Sequence, residues 1–426
     1  MGNLIQDGAF TSREFPKTSR TWEEVEADLD HFKSHDVGSS DINRLMTGLH
    51  LGEESVHQVC KQAYTKFFHT NAMMASAGSS LTIMQNDVLR WTANLLNAEE
   101  DAAGNFTSGG SESIFCAVHA AREWAKENKP RAKAPYNIVA PRTVHAAFDK
   151  AAHFQGLEII RVPTAADYRA DVQAMEEAVN ENTIMIVGSA PNWGLGLIDP
   201  MEQIGSIAEK YDLWMHSDTC VGGFLLPFLE RLGVDVPLFD FRIAAVRSMS
   251  ADIHKHAYGA KPASTVTYRS KELQAYHYSG VAISDWQSGM YKTHGVTGSR
   301  PGAAVAAAWA VMSHLGEDGY LDLTRRALET KRVLVEGIEE IEDFEVLKND
   351  CLLVPFRSPT LDMIKVFGGL VERGYFPWGT FDPVYIHPSA EPVKAEVLDR
   401  FLTDLTAVGT GVRDGSITAE AFAAYA

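Results

Sequence analysis

Residues 248–265 read SMSADIHKHAYGAKPAST and place Lys255 directly after His254. The stretch is too short of large aliphatic side chains to be ordinary core, and it runs through Tyr258 and Lys261 into the strand-like piece STVTYRS. Taken alone, Lys255 could be an ordinary solvent-exposed surface lysine. If a pocket holds it beside another positive charge, its pKa is lowered and it can form a Schiff base.

Short strand-like and helical pieces alternate on the N-terminal side of this loop. The strand-like pieces are NIVAPRTVH, EIIRVP, TIMIVGSAP, LWMHSD and AAVRSMSAD, and the helical pieces between them include AADYRADVQAMEEAVNE and PMEQIGSIAEKY. This alternation predicts an α/β fold with a mostly parallel sheet covered by helices. We expect an N-terminal segment at 1–55, a large domain at 56–320 and a smaller α+β C-terminal domain at 321–426.

Composition excludes several classes of protein. The chain has 426 residues, with 38 basic against 56 acidic side chains and a net charge of −18, which opposes nucleic acid or anionic lipid as the main partner. No run approaches 18 apolar residues, and the start MGNLIQDGAF lacks a basic region followed by an apolar stretch, so we expect a cytoplasmic protein. The four cysteines form no CxxC pair, so neither a metal site nor a disulfide framework is predicted.

A glycine-rich turn precedes the helix SESIFCAVHAAREWAKENK. In NFTSGGSES, residues 105–113, Gly109, Gly110 and Ser111 form a backbone that can approach an anion closely at a helix N-terminus. The same pattern also occurs as a tight turn without a ligand. It matches neither the dinucleotide nor the P-loop fingerprint.

Two further polar residues follow predicted strands. His145 follows NIVAPRTV, where an imidazole can stack on a flat ligand, act as an acid or base, or serve only structure. Asp218 ends LWMHSD, at the carboxyl end of a predicted parallel strand, where open α/β sheets bind ligands. There it can keep a heterocyclic nitrogen protonated, or simply cap a helix.

These features are not independent of each other. A phosphate cradle, an aromatic stacker, a carboxylate for a ring nitrogen and a Schiff-base lysine, in that order, are what pyridoxal phosphate requires. Their joint occurrence therefore predicts a site for this cofactor.

Six separated motifs also resemble a known family in the same order. TSGGSES, VHAAFDKAA, SAPNWGLGLIDP, HSDTCVGGF, SADIHKHAYGAKPAS and GVTGSRPG are similar to motifs of sphingosine-1-phosphate lyases and the wider group II pyridoxal-dependent decarboxylases. The resemblance covers roughly residues 60–330. It implies fold type I, the aspartate aminotransferase-like architecture.

The resemblance assigns roles by position. It implies that Lys255 forms the Schiff base, that Asp218 pairs with the pyridine nitrogen and that His145 stacks on the ring. The residues assigned to the cofactor phosphate are Gly110, Ser111 and His254, with Gly298 and Ser299 reaching in from a second subunit. This last assignment implies a homodimer with shared active sites.

The positions predicted to bind substrate match the lyase motifs only in part. Lys261 has the spacing of a lyase lysine that helps bind the substrate phosphate, and Asn71 opens NAMMAS, in which Met74 stands where the lyases have a histidine. PNWGLG departs from the lyase pattern as well, so we expect a small polar substrate. Arg357, in VPFRSPT, is predicted to pair with a substrate carboxylate, although a solvated surface arginine is the alternative.

These residues predict a retro-aldol carbon-carbon lyase that cleaves Cα–Cβ of a β-hydroxy amine or amino acid. In this reaction Lys255, or a tyrosine such as Tyr258, returns a proton. The same residues leave amino-acid decarboxylation open, because the cofactor supplies the electron sink in both reactions. An aminotransferase and a non-catalytic regulator are further alternatives.

Overall fold

The central sheet has seven strands. The computed structural model describes residues 15, 17–34, 45, 52–74, 76, 78–375 and 377–418. The strands are β1 (Ala103–Thr107), β2 (Asn137–Pro141), β3 (Glu158–Val162), β4 (Thr183–Ser189), β5 (Trp214–Asp218), β6 (Val246–Ala251) and β7 (Ser264–Tyr268). Their order is β1-β7-β6-β5-β4-β2-β3. Only β7 runs antiparallel to its neighbours, so the predicted mostly parallel sheet is confirmed.

Helices precede, connect and follow these strands. They are α1 (Trp22–Lys33), α2 (Glu54–Lys66), α3 (Ser80–Leu95), α4 (Gly110–Asn128), α5 (Ala147–Gln155), α6 (Val172–Ala178), α7 (Met201–Tyr211), α8 (Leu226–Arg231) and α9 (Lys271–Tyr278), with a 3-10 turn at Ala72–Met74. Every residue of β4 is buried, as expected for a parallel strand that is covered on both faces. The sequence pattern did not predict β1, α8 or α9.

A long helix connects the two sheets. Helix α10 (Gly302–Glu339) has a kink at Gly316, where φ is +57°, and leads into a four-stranded antiparallel sheet. The remaining elements are β8 (Glu345–Val346), β9 (Phe356–Arg357), α11 (Met363–Glu372), β10 (Trp378–Phe381), β11 (Val384–His387) and α12 (Ala395–Arg413). The domain boundary predicted at residue 320 therefore falls within α10.

The parallel strands bring three carboxyl ends together. In register, Ser189 of β4 lies beside Asp218 of β5, which lies beside Ser250 of β6. This edge of the sheet is where ligands bind in open α/β folds. None of the described helices combines the length and apolarity needed to cross a bilayer.

Candidate active site

Lys255 lies just beyond this edge, in the loop between β6 and β7. Its Nζ is 3.0 Å from Oδ2 of Asp252 and 5.7 Å from the centre of the Trp193 ring. Burial by itself lowers the pKa of Lys255, but the nearby carboxylates of Asp252 and Asp218 outweigh burial and raise the pKa. The expectation of a lowered pKa is therefore wrong for this structure, because the nearest charged group is a carboxylate.

Asp252 is the main residue that the sequence reasoning missed. Its side chain is 3% exposed, and Oδ2 also lies 3.6 Å from Nε2 of His254. Burial favours the neutral acid, but Lys255 and His254 outweigh burial and hold the pKa of Asp252 below its ordinary value. Asp252 directly follows the end of β6, just as Asp218 stands at the end of β5. An aspartate at the carboxyl end of a parallel strand is the signal that could have revealed it.

A buried hydrogen-bond chain orients Asp218. The Trp214 indole N–H donates to Ser248 Oγ, and the Ser248 hydroxyl lies 2.8 Å from Nδ1 of His216. Nε2 of His216 contacts Ser250 Oγ, whose hydroxyl donates to Asp218 Oδ1 at 3.0 Å. Burial lowers the pKa of His216 to about 4, so this ring is neutral. Because Ser250 donates to Asp218, Nε2 of His216 donates to Ser250, and Nδ1 accepts from the Ser248 hydroxyl. The carboxylate of Asp218 is thereby fixed at the strand end.

His145 lies between β2 and α5. Its Nδ1 accepts a hydrogen bond from the Ala147 N–H at 3.1 Å. Burial lowers the pKa of His145, although the nearby Asp218 opposes this, so the imidazole is neutral at neutral pH. A neutral ring fixed through Nδ1 suits stacking on a flat heterocycle.

The glycine-rich turn meets the lysine loop. Gly109 has φ +143°, a conformation that favours glycine, and a Cβ added there would lie 3.5 Å from Cε1 of His254. A Cβ on Gly110 would come within 2.9 Å of Asp252 Oδ2, so the backbone approaches closely there. Ser111 is exposed in the first turn of α4. Together these residues form a cradle for an anion at a helix N-terminus.

His254 supplies a donor beside this cradle. Its Nδ1 accepts the Ala263 N–H at 3.2 Å, so the neutral ring carries its hydrogen on Nε2. Burial lowers the pKa of His254 despite the opposing charge of Asp252. The residues present therefore fit pyridoxal phosphate, with a glycine cradle and an N–H donor for the phosphate, Asp218 for the ring nitrogen and Lys255 for the aldehyde.

A second group of predicted residues clusters in another part of the chain. The Asn71 amide donates to Ser299 Oγ at 2.9 Å, and its Oδ1 accepts the backbone N–H groups of Met73 and Arg300. A Cβ on Gly298 would lie 3.3 Å from the Met73 sulfur. In one chain, Asn71 thus organises the loop that holds Gly298 and Ser299. The role of Gly298 and Ser299 at a partner's site stays a prediction, as does the role of Asn71 in substrate binding.

Glu112 ties the same loop to α4. Its Oε1 accepts the backbone N–H of Val296 at 2.6 Å and of Thr297 at 3.2 Å, and its Oε2 accepts the Ser108 N–H. The sequence reasoning gave Glu112 no role. The glycine-rich turn and the loop before Ser299 therefore share one carboxylate.

The remaining predicted residues have distinct places. Tyr258 is buried, and Lys261 is an exposed residue on the same loop. Arg357 lies on β9, bonded to Glu345 of β8 and 5.3 Å above the ring of Tyr385. The structure does not bring Arg357 into contact with Lys255. Met74 lies in the 3-10 turn, and its side chain is outside the described part of the chain.

Fold and site together define a fold type I protein that carries pyridoxal phosphate. Residues 11–358 match the pyridoxal-dependent decarboxylase conserved domain, and the chain belongs to this family. The predicted family, fold and cofactor are thus confirmed.

Relatives with known names include lyases and a decarboxylase. Sphingosine-1-phosphate lyase of Arabidopsis thaliana is 39% identical over 83% of this chain and 65% of that protein. The solved sphingosine-1-phosphate lyase of Burkholderia pseudomallei is 30% identical with a TM-score of 0.88, over 96% of this chain and 95% of that one. A probable L-tyrosine/L-aspartate decarboxylase of Methanothermobacter thermautotrophicus is 30% identical over 83% of this chain and 95% of that protein. The chain spans less than two thirds of the length of the curated plant lyases, at 65% and 64%.

Proposed function

We propose that this protein is a pyridoxal phosphate-dependent carbon-carbon lyase. It cleaves the Cα–Cβ bond of a small polar β-hydroxy amine or amino acid and releases an aldehyde and an amine. The observation that carries the proposal is the pair of lysines on one loop, Lys255 beside Asp252 and Lys261 six residues on, in a chain most of which aligns with sphingosine-1-phosphate lyases.

The cofactor, when bound, supplies an aldehyde for the amine and a ring that accepts the electron pair of the broken bond. Asp218, fixed by Ser250, would hold a proton on the ring nitrogen, and neutral His145 would cover the ring. The Gly109 turn and His254 would bind the phosphate. Together these residues would hold the cofactor in one orientation.

The proton donors of the site keep their protons at neutral pH. The pKa of Lys255 is raised, so once it is free of the cofactor its nitrogen is an ammonium beside Asp252. Burial also raises the pKa of Tyr258, so its phenol remains protonated. Lys255 suits the return of a proton to Cα of the amine product, while a base takes the β-hydroxyl proton. The same role for Tyr258, whose ring stacks on Tyr320, stays a prediction.

The second candidate is amino-acid decarboxylation. The 30% identity to a probable L-tyrosine/L-aspartate decarboxylase, over 95% of that protein, favours it. Both reactions use the same residues, because the orientation of the substrate selects the bond that breaks.

A homodimer with shared sites is also part of the proposal. The segment that leads to Gly298 and Ser299 carries large exposed apolar side chains: Trp286 is 53% exposed, Met290 67% and Val296 59%. Apolar side chains grouped in this way on the surface are typical of an interaction site. A second copy covering them supports the prediction that Ser299 reaches a partner's cofactor. The cytoplasmic location and the lack of a membrane partner stay predictions.

The test is an assay of the cofactor-loaded protein with a panel of β-hydroxy amines and amino acids, in which aldehyde and carbon dioxide are both measured. Aldehyde release supports the lyase, and carbon dioxide alone supports the decarboxylase. Lys255→Ala is expected to lose both turnover and the absorbance band of covalently held cofactor. Lys271→Ala, which changes an exposed lysine on α9, is the matched control. Turnover by Lys255→Ala would refute the assignment.

A further inference from the structure

The loop between β6 and β7, which carries Lys255, is folded into tight turns. The Lys255 N–H donates to the Asp252 carbonyl at 3.3 Å, and the Tyr258 N–H donates to the Lys255 carbonyl at 2.9 Å. The Gly259 N–H donates back to the Ile253 carbonyl at 3.0 Å. The direction in which the Lys255 side chain leaves the backbone therefore depends on how these turns are held.

Tyr258 lies in these turns with a left-handed backbone. Its φ is +58°, a region that a bulky side chain rarely adopts. The residue is 6% exposed, and a Cβ added to Gly52, just before α2, would lie 3.2 Å from the Cδ1 atom of its ring. Such a conformation persists only where the surrounding packing holds it.

Tyr320 of α10 contacts two consecutive residues of this loop. Its hydroxyl donates to the Ala257 carbonyl at 3.1 Å, and its ring stacks on the Tyr258 ring with centres 6.3 Å apart and planes within 13°. The same ring also stacks on Phe228 of α8, at 4.9 Å and 15°. Nearly parallel rings at these separations attract each other. Helix α10 and α8 thus hold the loop through one buried side chain.

The hydroxyl of Tyr320 is suited to this contact. Burial raises the pKa of Tyr320, so the phenol keeps the proton that it donates to Ala257. Ala257 is fully buried, and a buried backbone carbonyl that loses its hydrogen-bond donor destabilises the conformation it belongs to. Tyr320 therefore favours one arrangement of the loop over looser ones.

We propose that Tyr320 is a positioning residue for Lys255. Through Ala257 and Tyr258 it holds the turns that place the Lys255 amine 3.0 Å from Oδ2 of Asp252 and direct it toward the cofactor aldehyde. An amine held in a reactive orientation reacts faster than one that samples several. This inference rests on the role of Lys255 in the proposed function, but not on which substrate bond breaks.

The first measurement is the rate at which Lys255 joins pyridoxal phosphate. Cofactor-free protein is mixed with the cofactor at neutral pH, and the absorbance of the covalent product is followed. Tyr320→Leu removes the ring and the hydroxyl, and we expect the rate to fall at least about tenfold, because small displacements of a reacting group cost factors of this size. Tyr320→Phe keeps the stacked ring, and we expect a fall of about fivefold, typical of one neutral hydrogen bond.

Tyr375→Phe is the matched control. Tyr375 is 1% exposed, and its hydroxyl donates to Asp404 at 2.7 Å, so this variant also loses one hydrogen bond of a buried tyrosine. We expect it to join the cofactor at the rate of the unchanged protein. If Tyr320→Leu does not fold, the comparison of Tyr320→Phe with Tyr375→Phe still tests the proposal.

The second measurement is circular dichroism in the absorbance band of the bound cofactor. Pyridoxal phosphate is achiral, so this signal arises only when the protein holds the cofactor in a fixed asymmetric orientation. Per bound cofactor, we expect a weaker signal in Tyr320→Phe than in Tyr375→Phe or the unchanged protein. A role of Tyr320 in overall stability alone would leave this signal intact in the folded protein.

Equal rates and equal dichroism in Tyr320→Phe and the unchanged protein would overturn the proposal. So would an equal slowing in Tyr375→Phe, because any lost tyrosine hydrogen bond would then have the same effect. Lys255→Ala separates this failure from that of the proposed function. If Lys255→Ala loses the covalent band, Lys255 keeps its role whatever the Tyr320 variants do, whereas a retained band refutes both.

Discussion

Replacing Asp252 by asparagine removes the negative charge closest to Lys255 with little change of shape. At the observed separation of 3.0 Å, two unit charges attract by about 5 kcal/mol at an effective dielectric constant of about 20. The Lys255 side chain is 20% exposed, so solvent screening reduces this to about 2–3 kcal/mol. Since about 1.4 kcal/mol corresponds to a factor of ten, the fraction of uncharged Lys255 should rise about thirtyfold to a little over a hundredfold.

Only the uncharged amine attacks an aldehyde. In the Asp252→Asn variant, Lys255 is therefore expected to react with pyridoxal phosphate faster at pH 7.5 than in the unchanged protein. The assay mixes cofactor-free protein with pyridoxal phosphate and follows the absorbance of the covalent product from pH 6 to 10. In the unchanged protein the rate should rise with pH throughout this range, because the pKa of Lys255 is raised. In Asp252→Asn the rise should begin at lower pH.

Asp101→Asn, an exposed carboxylate beside Lys271, is the control for the change in net charge. An equal or slower rate for Asp252→Asn, with an unshifted pH profile, would refute the argument. The sign of the shift is the critical point. A raised pKa means that Lys255 is protonated in the cofactor-free protein and that Asp252 keeps it so.

Three further changes test other parts of the structure. Gly109→Ala forces a side chain into φ +143°, and we expect cofactor affinity, measured by equilibrium dialysis, to fall at least about tenfold; unchanged affinity would contradict the cradle. Arg357→Ala is expected to raise KM for a carboxylate substrate far more than it changes kcat, and an unchanged KM would leave Arg357 only its contact with Glu345. Burial raises the pKa of Glu391, although His256 opposes this shift. The folded state therefore favours the protonated carboxyl, and the stability that the protonated Glu391 contributes is lost as pH rises. Glu391→Gln should therefore raise Tm at pH 8 and change it little at pH 4, and equal shifts at both would contradict this.

Local sequence was sufficient for the features that depend on neighbours along the chain. Thr21 forms a capping box with Glu24 at the start of α1, an arrangement that involves only residues three positions apart. The glycine-rich turn before α4 and the lysine loop between β6 and β7 were readable for the same reason. Strand β1 was not, because AGNFT has few good strand formers and is held by pairing with β7, some 160 residues later.

By itself, the sequence determined the order of the motifs, the family, the α/β fold and the cofactor, because each rests on short segments with local chemical signatures. Only the tertiary structure decided which charges meet. It placed a carboxylate beside Lys255, which reverses the expected shift of its pKa, and it set Lys61 of α2 across a cavity from Lys261. Asp252 is only three residues from Lys255, but whether the two side chains meet depends on the path of the loop after β6. Residues 61 and 261 are 200 positions apart, and such a pair leaves no periodic signal in the chain.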